Sequence, residues 1–109
     1  MLVKRDDISL ERLMGAFGLE PPGPRAVFMQ LRDAAAGNGA LATKTKELIA
    51  LAVCIAGRRE DGLEDRVRMA IRAGASRPEV FEVIGQAILM GGPRSVPLGQ
   101  LAADVAERL

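Results

Sequence analysis

The residue types that carry proton transfer, thiol chemistry and metal ligation are scarce in this chain. It has no histidine and a single cysteine, Cys54. Without an imidazole there is no neighbour to activate a serine, and Ser9, Ser76 and Ser95 read as helix caps instead. One thiol cannot form an internal disulfide. Together with the missing histidine it also removes the usual nitrogen and sulfur metal ligands, so neither a metal nor a cofactor is expected. Cys54 sits within an apolar stretch, where a cysteine is expected to behave as an inert, buried hydrophobe. Gly91-Gly92-Pro93-Arg94 lacks the phosphate-loop patterns and reads as a helix stop. What remains is charge. Glu47 heads an apolar helix and is expected to point inward. Arg58 and Arg59 stand near the start of the next helix, where they oppose its macrodipole and need the compensation that Glu60 and Asp61 supply.

The elements that position these residues are helices. Of the 109 residues 49% are hydrophobic, yet only Phe17, Phe28 and Phe81 are aromatic, so the core must be aliphatic and rich in strong helix formers. The length suits one domain, 1–109, in an all-α fold of five or six helices. A first helix is predicted from about Ser9 to Phe17, capped by Asp7 or Ser9 and stopped by Gly18. Pro24 can open a second, since its missing N–H costs nothing at the first helical position. Thr43 or Thr45 can cap a third, apolar all round beyond Lys46 and Glu47, which marks a buried central element. A fourth is expected from about Glu60 to Ala73, stopped by Gly74 in the left-handed region. Its inner face is Leu63, Val67, Ala70 and Ile71, and Glu64 pairs with Arg68 on its outer face. Ser76-Arg77-Pro78-Glu79 is a capping box opening a fifth that ends near Met90. A last helix begins near Ser95 or Pro97.

Charge and hydropathy exclude several functions. Fifteen basic against fourteen acidic residues leave a net charge of +1, and there is no Trp or Tyr on which a base could stack, so nucleic acid is not an expected partner. The longest apolar run, Leu48 to Ala56, is nine residues, well short of the ~20 needed to span a bilayer. The charged start Met1-Leu2-Val3-Lys4-Arg5-Asp6-Asp7 lacks a signal-peptide core, and a cytoplasmic protein is expected. The third and fifth helices carry more apolar surface than a chain of this size can cover alone, which points to a homo-oligomer.

The stretch Lys46-Glu47-Leu48-Ile49-Ala50-Leu51-Ala52-Val53 is one block of a recognisable pattern. Leu63-Glu64, Val67-Arg68 and Ala73-Gly74-Ala75-Ser76 continue it, followed by Glu79, Glu82-Val83-Ile84 and Gly91-Gly92-Pro93. Over about Leu41 to Pro93 the chain resembles the carboxymuconolactone decarboxylase and alkyl hydroperoxidase D-like (AhpD-like) family. The resemblance implies an all-helical fold and a trimer or hexamer. In the family's redox branch a helical glutamate is followed, twelve residues on, by Cys-x-x-Cys and then by a histidine four residues later. One thiolate attacks the peroxide, the second resolves the sulfenic acid, and glutamate and histidine relay protons. Here the spacing is kept with other residues. Glu47 stands at the glutamate position, Arg59 and Gly62 at the two cysteine positions, Asp61 between them, and Arg66 at the histidine position. Arginine stays protonated in proteins and can replace neither a thiol nor a proton-shuttling imidazole, so dithiol peroxidase chemistry is not expected. The decarboxylase branch also keeps the histidine that this chain lacks, which puts lactone decarboxylation in doubt.

Three readings follow from the resemblance. In the first, Glu47 forms a buried ion pair with Arg59 or Arg66, its loss costs more than about 1 kcal/mol, and the protein is a structural or anion-binding oligomer. In the second, Glu47 is a general base and Arg59 and Arg66 clamp a small carboxylate ligand. In the third, the chain is a non-catalytic subunit partnering a relative that retains the cysteine pair.

Overall fold

A computed structural model of the chain describes residues 12–18 and 23–109, and among them every regular element is helical. The described residues divide after Gly39 into two compact units. In the first, α1 comprises residues 12–16 and α2 runs Pro24–Ala36, with Met14 and Val27 its buried side chains. Pro24 occupies the start of α2 as the sequence predicts, and Gly37 closes the helix. Gly18 has φ 69°, in keeping with a stop after α1, whereas the expected caps Asp7 and Ser9 lie outside the described residues.

The second unit holds α3 (Thr43–Ala56), α4 (Leu63–Arg72), α5 (Arg77–Gly91), a single 3₁₀ turn (Pro93–Ser95) and α6 (Val96–Arg108). Helix α3 packs against α4 and α5, and α6 packs against α5 and α4, so the four helices enclose one core. Leu51 and Ile55 of α3 are fully buried there with Leu63 and Val67 of α4, Val80 of α5 and Ala102 of α6. Two expected side-chain caps do not form. Neither Thr43 nor Thr45 caps α3, because the helix already includes Thr43 and the cap position falls to Ala42, which has no side-chain acceptor. Ser95 is fully buried and does not cap α6. Its hydroxyl instead donates 2.6 Å to the Gly92 carbonyl and 3.4 Å to that of Ile88, tying the 3₁₀ turn back to the end of α5.

Helices α3 and α4 end in the same hydrogen-bonded motif with different residues at its left-handed position. After α4, Gly74 (φ 106°) donates to Ile71 and Ala75 donates to Ala70, both at 3.0 Å. After α3, the N–H of Arg58 donates to Ile55 at 3.1 Å and that of Arg59 to Cys54 at 2.8 Å, which puts Arg58 at φ 56°. A side chain in that region costs roughly 1–2 kcal/mol, so the turn leading to the family-motif positions is held in a strained conformation. Helix α4 begins three residues later than the sequence reading places it, because Gly62 (φ 77°) turns the chain just before Leu63.

The capping box of α5 forms as predicted. Ser76 Oγ accepts from the Glu79 N–H at 3.2 Å, and the Glu79 carboxylate accepts from the Ser76 N–H at 2.8 Å. Lys44 of α3 adds a 3.1 Å contact to the same carboxylate. The Ser76 N–H, followed by Lys44, holds the Glu79 carboxyl below its ordinary value, and Arg68 does the same for Glu64 through a 2.8 Å bond. Both are carboxylates whose folded-state pKa is depressed. Their stabilisation is therefore complete above the unfolded value, near 4.5, and is lost as pH falls through the lower folded-state values. Unfolding midpoints measured across acidic pH should decline in that window. Glu79→Gln, which keeps an acceptor for Ser76 but does not titrate, should flatten the decline; an unchanged slope would remove Glu79 from its causes.

Glycines mark the close approaches between helices. A Cβ on Gly91 would lie 2.8 Å from the Ala56 backbone, and one on Gly99 would lie 2.4 Å from Ile88. Gly85 is different. It lies in the middle of α5, exposed, with nothing within 4 Å of the place a Cβ would take. A mid-helix glycine costs about 0.5–1 kcal/mol relative to alanine, and nothing in the protomer offsets that cost at Gly85. Among the described residues no helix is long and apolar enough to cross a membrane.

Candidate functional site

The five family-motif positions fall on α3, on the start of α4 and on the turn between the two helices. Glu47 is in the second turn of α3, Arg66 is in the first turn of α4, and Arg59, Asp61 and Gly62 belong to the connection. Packing of α3 on α4 sets Arg66 Nη1 3.9 Å from Glu47 Oε1. The Glu47 side chain is 17% exposed and that of Arg66 is 41% exposed, so the carboxylate is shielded while the guanidinium keeps much of its water. At 3.9 Å the two attract as charges without a hydrogen bond between them.

This geometry sets the worth of the pair. Half-solvated ion pairs contribute about 0–1 kcal/mol, far below the several kcal/mol involved when one partner of a buried pair is removed. The fully buried pair anticipated from the apolar surroundings of Glu47 is replaced by one open to solvent on the arginine side. Glu47→Ala should therefore cost less than about 1 kcal/mol in denaturant unfolding. A loss of several kcal/mol would mean that the carboxylate is more completely desolvated than this arrangement implies.

Arg59 is placed elsewhere. Its side chain lies beside Gly57, with Nε 3.9 Å from where a Gly57 Cβ would stand. With Arg58, Glu60 and Asp61 it lines an open surface depression of about 370 Å³. All four residues are exposed, and their formal charges cancel, so the depression has no net field to concentrate anions. The sequence-derived site thus separates into two parts: Glu47 with Arg66, and Arg59 with Asp61 and their neighbours. Gly62 contributes its left-handed backbone rather than a side chain. Cys54 is half-buried, packed against the core rather than enclosed in it. No cluster of three metal-ligating side chains occurs among the described residues.

A second feature was not singled out from the sequence. Between α3 and α5 runs a set of adjoining depressions that share Leu48 and Val83 at one end and Ala52 and Gln86 further along. Glu79 and Glu82 border one end and Met90 the other. Ile49 and Val53 are each about half exposed along it. The sequence signal for this trough was the all-round apolar character of α3, which announces excess apolar surface without saying on which side it remains open.

Two kinds of comparison bear on this arrangement. The profile of the Carboxymuconolactone decarboxylase family matches residues 22–104, a span that includes Glu47, the connection and Arg66. The chain belongs to the carboxymuconolactone decarboxylase family. An uncharacterized protein of Cupriavidus necator is 32% identical over 83 residues, covering 76% of this chain and 74% of that protein. The fold agrees as well. A crystal structure of a carboxymuconolactone decarboxylase family protein from Thermotoga maritima, for which involvement in an antioxidative response has been suggested, superposes with a TM-score of 0.70. That likeness has 28% sequence identity and covers 82% of this chain and 92% of the other. The all-helical AhpD-like fold expected from the resemblance is the fold observed.

Proposed function

We propose that this chain is a family member without dithiol redox chemistry, acting as a structural or anion-binding homo-oligomer. The observation that carries the reading is the Glu47–Arg66 pair. Where the family resemblance calls for a glutamate and a histidine to exchange protons, the carboxylate here faces a guanidinium that cannot release one. The single cysteine, half-buried in α3, supplies no resolving partner for a sulfenic acid. An antioxidative role of the kind suggested for the Thermotoga maritima protein could not run through a cysteine pair in this chain. In the alternative reading Arg59 and Arg66 grip one carboxylate; the ion pair with Glu47 is made by Arg66, while Arg59 lines a surface depression with Arg58, Glu60 and Asp61.

Purified protein given a hydroperoxide and a dithiol reductant should show no consumption above the uncatalysed rate. Light scattering at micromolar concentration should report a mass of several chains. Thermal shifts across a panel of small carboxylates separate the anion-binding form from the purely structural one, since a ligand of the native state raises the midpoint with concentration. Catalysed peroxide turnover, or a monomer mass, would overturn the reading.

A further inference from the structure

We draw no further inference here: the strongest candidate, the apolar trough between α3 and α5 lined by Leu48, Ala52, Val83 and Gln86, is an unpartnered face, and nothing in the structure shows what covers it.

Discussion

Replacing Leu51 by alanine lowers the unfolding free energy by about 2–5 kcal/mol, the range for deleting a fully enclosed leucine side chain. Leu51 has no exposed surface and belongs to the core that joins α3, α4, α5 and α6. The loss has two components: the transfer of the removed carbons, and a cavity that the packed surroundings cannot fill by collapse. In a chain of this length the thermal midpoint should fall by roughly 4–8 °C per kcal/mol, so the variant should be substantially unfolded well before the wild type. Leu41 provides the comparison. It is 48% exposed in the segment before α3, and Leu41→Ala should stay within about 0.5 kcal/mol of the parent. Equal losses in denaturant titrations of the two variants would mean that the burial assigned to Leu51 is wrong.

Gly91→Ala is the second large effect, and its sign runs against helix propensity. On an open helix the exchange gains up to about 1 kcal/mol. Gly91 closes α5 where that helix meets α3, and an added Cβ would stand 2.8 Å from Ala56 Cα and 2.9 Å from Ser95 Oγ. The obstacle at Ala56 is backbone, which cannot rotate aside as a side-chain tip can. The obstacle at Ser95 is a fully buried residue whose hydroxyl is engaged with the Gly92 and Ile88 carbonyls. Overpacking of this kind costs about 1–3 kcal/mol, and denaturant unfolding should show a net loss after the propensity gain is subtracted. A stabilised Gly91→Ala protein would show that α3 and α5 can separate at this point without penalty.

The elements of the second unit were largely legible because their signals are local. The capping box at Ser76 and Glu79, the left-handed stop at Gly74 and the 3.6-residue spacing of Leu63, Val67 and Ala70 each act within a turn or two of helix. Each is found where the sequence puts it. The exceptions are of two kinds, a local shift of a helix start at Thr43 and Gly62 and a tertiary demand at Ser95. Thr43 lies inside α3 rather than capping it. Ser95 is drawn into the core and spends its hydroxyl on α5, and α4 waits for the turn at Gly62 before it begins. The Glu64–Arg68 pair was readable for the same local reason, being one turn apart on a single helix.

The helical class, the family membership carried by the Glu47-to-Pro93 pattern, and the absence of any thiol pair or imidazole from the motif positions were legible before any packing was known. Those follow from which residues are present and how they are spaced. Which arginine meets Glu47 could not follow, because Arg59 and Arg66 lie seven residues apart in a turn and a helix whose directions depend on how α4 packs against α3. Only the tertiary structure assigned Arg66 to Glu47, left the pair half in water and turned Arg59 toward Gly57. The same holds for the apolar excess. Composition and pattern announced that α3 and α5 carry more hydrophobic surface than the core uses. The contacts among α3, α4, α5 and α6 decided that the remainder faces outward along the trough and around Gly85, since burial is a property of neighbours that distant parts of the chain provide.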